Sequence, residues 1–197
     1  DDDSILPKVT LVDVPAELHY TQGSHETVNQ YPLRRYAAGT NGLVYQQLVM
    51  KLPEISEEQL ILLQHYCQIL TEVGVGNKDY LQTPQLQASV VGSLNAFSTI
   101  RSLGENVQTC DGYLTLSTKA LGRQHQAMNQ LMLDTIEKVR FDEIERIQEL
   151  ITQQRARREQ SITGHGHGLA MTAASAGMSP VGKISHKLSG LESIRHL

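Results

Sequence analysis

Residues 92 to 121 set the strongest limit on what this chain can fold into. Two strand-like runs, GSLNAFSTIRS and NVQTCDGYLTLSTKAL, are joined through LGEN. Gly104 and Asn106 are residue types that tolerate positive φ, so the turn chemistry is right for an antiparallel hairpin. Any larger sheet has to be built around that pair. Upstream, GLVYQQLVMKL alternates, with Val44, Leu48, Met50 and Leu52 on one parity, and reads as a further strand.

The remaining periodic segments are helical. Ser56 opens SEEQ, a hydroxyl three residues before Gln59, which is a capping-box signature. The helix it starts runs to about Val73 and stops at Gly74. Leu60, Leu63, Cys67 and Leu70, with Leu62, Tyr66, Ile69 and Val73, form a broad apolar stripe. Gln64, His65, Gln68 and Glu72 share the other side. A second helix is expected from near Asp79 to about Val91. Residues 123–138 place Met128, Leu131, Met132 and Thr135 on one side. Residues 142–160 start acidic (Asp142, Glu143, Glu145) and end basic (Arg155, Arg157, Arg158), which suits the helix dipole. Their narrow stripe, Ile144, Ile147, Leu150 and Ile151, leaves much of that helix in water.

In GHGHGLAMTAASAGMSP, the small residues Ala170, Ala173, Ala174 and Gly177 would let a helix approach a neighbour closely. Pro180 marks a break, and KLSGLESIRHL reads as one more short amphipathic piece. Ahead of the first strand, residues 5–15 read as an extended segment and residues 19–42 as a polar surface loop. The expected division is an entry segment and loop over 1–40 and a single domain over 41–197. Strands and helices do not alternate one for one, so the expected class is α+β with an antiparallel sheet, not a doubly wound fold.

Composition narrows the function. Hydrophobic residues make up 40% of the 197, with aromatics at 5% and no Trp, so the core is aliphatic. Seventeen basic against 21 acidic residues give −4, too mild for a nucleic-acid surface. The basic cluster Arg155, Arg157 and Arg158 lacks interleaved aromatics, which also argues against nucleic acid. The sequence holds no run of 18 apolar residues that would span a membrane. Cys67 and Cys110 have no ligand spacing and read as reduced structural thiols. That places the chain in the cytoplasm or an organelle in preference to secretion. It opens on Asp1-Asp2-Asp3, not Met, as a piece of a longer protein would.

Four segments carry candidate chemistry. In HYCQI (65–69), His65 stands where a helical zinc site begins, but the position four residues on is Ile69. Gln68 lacks the basicity to activate a metal-bound water, and Cys67 lies about 160° round the helix from His65. The bland reading is a partly exposed His on a polar face. In GHGHG, His165 and His167 share a face only on a strand, and the glycines favour a flexible helix entry. A small metalloenzyme using His65, His165 and His167 is the least favoured reading. Asp142, Glu143, Glu145 and Glu149 read as a solvated first turn. In NAFST, Asn95, Phe97 and Thr99 lie on a strand that is either a plain polar edge or an edge that receives an extended peptide.

PKVTLVDVP, TNGLVYQQLVMKLPEI, LTEVGVGNKDY, RFDEIERIQELI and SGLESIRHL, in this order, resemble the presequence-protease branch of the insulinase/pitrilysin (inverzincin) metallopeptidases. The likeness runs from Leu6 to the end. It implies repeated α+β domains in two halves that close around a chamber, with His-x-x-Glu-His in the first domain only. This chain resembles the third domain. On that register His65 matches the first zinc ligand, Gln68 the catalytic Glu and Ile69 the second ligand. The metal site is therefore degenerate, and zinc is expected elsewhere in the parent protein and not in this segment. The resemblance also places Asn95, Phe97 and Thr99 on a chamber-lining strand. The expected function is a non-catalytic structural and chamber domain of a zinc peptidase. Its expected partners are the other domains of the same polypeptide, peptide substrates and further copies of itself. The alternative is a stand-alone interaction module that docks through helix 142–160.

Overall fold

The structure, a computed structural model, describes residues 9–17 and 20–195. Residues 5–8 and 19, on which part of the expected entry segment falls, lie outside them. The chain divides into two units, Asp1–Asn41 and Gly42–Leu197. In the first, the expected surface loop is a β-hairpin. β1 (Gly23–Val28) and β2 (Tyr31–Tyr36) pair antiparallel with Val28 opposite Tyr31. Asn29 and Gln30 both take positive φ, 48° and 67°, giving a two-residue turn whose twist suits the strands. Nearly every residue of both strands is exposed, so no buried alternation marks them in the sequence. The extended reading also changes at Leu11–Asp13, which make a 3-10 turn. The Asp13 carboxylate closes it, accepting from the Thr10 N–H at 2.8 Å and the Thr10 hydroxyl at 2.9 Å.

The second unit is α+β. Its elements are β3 (Leu43–Lys51), α1 (Glu57–Glu72), α2 (Thr83–Val90), β4 (Ser93–Leu103), β5 (Asn106–Leu121), α3 (His125–Glu137), α4 (Ile144–Ser161), α5 (Gly166–Ser175), α6 (Pro180–Ser189) and α7 (Leu191–Arg195). The sheet order is β3-β5-β4, and both pairings are antiparallel. Gly104 turns the hairpin at φ 54°. Asn106 instead begins β5 and accepts from the Gln108 N–H at 3.0 Å. Register sorts the side chains into two faces. Leu48, Leu116 and Ala96 form one row, flanked by Met50, Leu114 and Ser98, and this face meets the helices. Val49, Thr115 and Phe97 form a row on the opposite face, between Gln47, Ser117 and Asn95 on one side and Lys51, Tyr113 and Thr99 on the other.

The helices carry the aliphatic core onto the sheet. Met128, Leu131, Met132 and Thr135 of α3 are all buried, and Met128 and Leu131 join Val91 and Ala120 in one cluster. The α1 N-terminus forms as its signature requires: Ser56 Oγ accepts from the Gln59 N–H at 3.2 Å, and Gln59 Oε1 accepts from the Ser56 N–H at 2.8 Å. Losing this reciprocal cap in Ser56→Ala is expected to cost about 1 kcal/mol, measurable by urea denaturation. Leu63, Cys67, Ile69 and Leu70 are buried as the stripe requires, but Leu62 is 60% exposed.

The small-residue stripe of α5 behaves differently from expectation. Ala170, Ala173, Ala174 and Gly177 are exposed. The close approach falls on Gly182 of α6, where a Cβ would stand 2.3 Å from the Ser175 carbonyl oxygen. Pro180 does mark a break, as the first residue of α6, with Ser179 Oγ accepting from the Gly182 N–H at 3.1 Å. The last amphipathic piece is two helices divided at Gly190.

Candidate functional site

The polar side of α1 is only partly a solvent face. Much of it meets α4, and the two helices join in a ladder of side chains. Glu72 pairs with Arg146 at 3.3 Å, which also stacks over the Tyr80 ring at 5.2 Å from its centroid. One turn further, Ile69 and Val73 bury themselves against Leu150, with Val139 and Ile147 alongside. Next, the His65 Nδ1 hydrogen-bonds the Gln154 Oε1, and beyond it Arg158 Nη2 donates to the Gln64 Oε1. His65 is half-buried as a result, a partly exposed His whose ring meets α4.

The ladder decides the metal question at this helix by chemistry. His65 and Ile69, expected from the resemblance to match zinc ligands, are met by an amide and by Leu150. A zinc ion needs about four N, S or O donors at close to 2 Å. Here His65 has one neighbouring oxygen, from a neutral amide, and Ile69 offers none. Among the described residues, no three His, Cys, Asp or Glu side chains come together in a way that could hold a metal ion. His165 and His167 sit exposed at the start of α5. His65 and Ile69, with the side chains that meet them, do not fit a zinc site.

Gln68 faces a different way. With Gln64, Cys67 and Thr71 of α1, Asn95–Ser98 of β4 and Arg158 of α4, it lines a cavity of about 480 Å³. The floor of this cavity is the outer edge of the sheet. Among the described residues β4 has β5 on one side only, so alternate residues along its other side have backbone N–H and C=O groups without a strand partner. Gln68, Asn95 and Phe97 are thus brought together. Thr99 lies in an adjoining hollow of about 470 Å³ with Phe97, Arg101, Asp111 and Tyr113. There Lys51 Nζ pairs with Asp111 Oδ2 at 2.7 Å, which holds the Lys51 pKa above its ordinary value.

Cys67 lines the cavity it shares with Gln68, and its thiol is held in the protonated form. Burial pushes its thiol up to about 11, against the weaker opposing hydrogen bond with Ser98. The raised value disfavours the thiolate in the folded state. This contribution to stability is present below the unfolded value and is lost as pH rises towards 11. At pH 8 only about one thiol in a thousand is ionised, so iodoacetamide is expected to modify half-buried Cys110 and spare Cys67, with peptide mass mapping as the readout.

Two residues whose importance no sequence rule signals organise this region. Glu143, expected in a solvated first turn, is 9% exposed at its side chain. Its Oε2 accepts from the Gly74 N–H at 2.7 Å and its Oε1 from the Tyr80 N–H at 3.1 Å. Arg158, expected as one of three exposed bases, is half-buried and donates to the Leu188 carbonyl at 3.3 Å and to Ser193 Oγ at 3.0 Å. Both sit in helical periodicity that predicts only a charged surface. Their partners are 63 to 69 and 30 to 35 residues away, out of reach of any local rule.

A helix packed on an antiparallel sheet with a strand edge beside it makes this unit an α+β domain. The chain belongs to the family of domains associated with peptidase M16, subfamily C, whose model matches residues 1–197. It is 26% identical over 192 residues to presequence protease 1, chloroplastic/mitochondrial, of Arabidopsis thaliana, covering 98% of this chain and 18% of that protein. It is 26% identical over 196 residues to the mitochondrial presequence protease of Danio rerio, covering 100% and 19%. Protein HypA of Clostridium perfringens is 24% identical over 188 residues, covering 95% and 19%. The chain spans about a fifth of the length of these relatives. No described helix is long and apolar enough to cross a membrane.

Proposed function

We propose that this chain is a non-catalytic domain of a zinc-dependent peptidase, and that it lines the chamber in which the whole protein holds its peptide substrates. The observation that carries this reading is the α1–α4 seam. Ile69 packs on Leu150 and His65 bonds Gln154 at the two ligand-matching positions, while the cavity between α1 and the free edge of β4 stays open. Such a domain keeps the helix-on-sheet scaffold for its packing and its strand edge for peptide, and leaves hydrolysis to a zinc site elsewhere in the polypeptide. The relatives are named as presequence proteases, which supports a peptide substrate and an organellar setting. Asn95, Phe97 and Thr99 are the residues β4 presents to that substrate. The exposed apolar groups Val49, Leu121 and Leu133 supply contacts to sister domains, and would promote self-association of the isolated chain.

The test is site-specific photo-crosslinking. A benzoylphenylalanine is placed at position 97, or at exposed position 133 on α3, in the full-length protein. A labelled extended peptide is added with EDTA present to stop cleavage. The expected result is a crosslink at 97 and none at 133. Equal yields at both positions would sink the chamber reading. The 197-residue chain alone is expected to cleave no peptide.

A further inference from the structure

The cavity beside β4 contains one formal charge, and that charge has no counter-ion. Among the residues that line it, Gln64, Cys67, Gln68, Thr71, Asn95, Phe97 and Ser98 are all neutral, and Arg158 alone is charged. The guanidinium makes three hydrogen bonds, to the Leu188 carbonyl, the Ser193 hydroxyl and the Gln64 amide oxygen, every one a neutral acceptor. No carboxylate pairs with it among the described residues. Two other arginines of this unit take acidic partners: Arg155 bonds Glu159 at 2.9 Å and Arg140 bonds Asp142 at 2.9 Å. Arg158 is thus more desolvated and less neutralised than either.

A guanidinium has five N–H donors, and three are used here. Two remain, enough to engage one carboxylate. A partly desolvated cation held by neutral dipoles gains more from an arriving carboxylate than a solvated one does, because much of its hydration is already lost. Burial lowers its pKa from the usual arginine value, which shows the same lack of a compensating charge.

We propose that this cavity is an acidic-side-chain subsite: an extended peptide adds along the free edge of β4 and places the carboxylate of an internal Asp or Glu against Arg158. The inference rests on the reading of β4 as a substrate-facing strand and specifies what it selects. The position of the cavity argues for a side chain in preference to a chain terminus. It lies against Asn95–Ser98, and β4 runs on past it from Thr99 to Leu103. A peptide that runs parallel to β4 and ends at Arg158 would leave that further edge unpaired. Backbone bonding to the strand supplies affinity without sequence preference, and Arg158 supplies the preference.

The experiment uses the full-length protein in EDTA and three fluorescent peptides of eleven residues, the length of β4. The first is blocked at both ends with a central Glu, the second is the same with Gln, and the third has the Gln but a free C-terminal carboxylate. Anisotropy titrations at low salt are expected to show the Glu peptide bound about tenfold tighter than the Gln peptide. Arg158→Gln is expected to bring the two peptides within about twofold of each other. The wild-type comparison needs no variant, so misfolding of Arg158→Gln leaves the question decidable. Equal affinities with crosslinking at 97 intact would overturn the acidic subsite and leave the chamber reading standing. Loss of crosslinking by both peptides would overturn both. A preference that survives Arg158→Gln, or tighter binding of the free-carboxylate peptide than of the Glu peptide, would also reject the assignment.

Discussion

Glu143→Ala is expected to lower the stability of the second unit by about 3 kcal/mol, because it strands two backbone N–H groups at once. The carboxylate joins the end of α1 to the turn that follows it and to the start of α4. Its two oxygens hold the Gly74 N–H at 2.7 Å and the Tyr80 N–H at 3.1 Å. Around it the chain forms a small ladder: Arg140 N donates to the Gly74 carbonyl at 2.9 Å and Gly76 N to the Lys138 carbonyl at 2.8 Å. Val75 bridges both Lys78 and Val139. Glu143→Gln keeps one acceptor oxygen and is expected to cost about half as much. Gly74→Ala should match the larger loss by a different route. A Cβ there would stand 2.5 Å from the Lys78 carbonyl and 2.9 Å from Glu143 Oε1, and the first of these is backbone that cannot swing aside. Urea denaturation of the three variants checks the order. A loss below about 1 kcal/mol for Glu143→Ala would show that water replaces the carboxylate without penalty.

What is legible in the sequence follows a physical line between local and distant partners. The α1 start at Ser56, its end before Gly74, the buried side of α3 and the β4–β5 hairpin all depend on residues within a few positions of one another. Period, caps and turn residues report these directly. The β1–β2 hairpin leaves no such mark, because its strands are exposed on both faces and its turn is Asn-Gln. The polar side of α1 misleads for a related reason. Polarity assigns Gln64 and His65 to water, whereas they meet the equally polar Arg158 and Gln154 across a helix seam. Periodicity distinguishes apolar from polar faces, but it does not tell a polar face in water from a polar face on a polar partner. The alanine stripe of α5 shows the converse. Small residues permit a close approach, but here Gly182 takes that role and the alanines stay exposed. The reading of His65, Gln68 and Ile69 as degenerate metal positions rests on the family resemblance alone, since nothing in HYCQI itself distinguishes a lost ligand from an ordinary isoleucine.

Restoring donors at the seam is expected to turn this helix back into a metal site. Ile69→His sets a second imidazole one turn from His65, at the i and i+4 spacing that puts both rings on one side of α1. Gln154→Glu exchanges the amide that already bonds His65 Nδ1 for a carboxylate at the same reach. Together they supply three protein donors, the number that zinc takes when water fills the fourth position. The double variant is expected to bind one zinc per chain with a dissociation constant of about 1 µM or tighter, and to melt higher with zinc than without it. Without metal it should be less stable than the parent sequence by about 2 kcal/mol, since a polar ring replaces Ile69 beside Leu150. Ile69→His alone, with two imidazoles and a neutral amide, should bind at least about a hundredfold more weakly. Metal analysis after gel filtration and calorimetric titration provide the readout. Failure of the double variant to take zinc would mean that α1 and α4 stand at a distance set by the Ile69–Leu150 contact and not by an inherited metal geometry. Stoichiometric zinc in the unaltered chain, lost on His65→Ala, would contradict the degenerate-site reading itself.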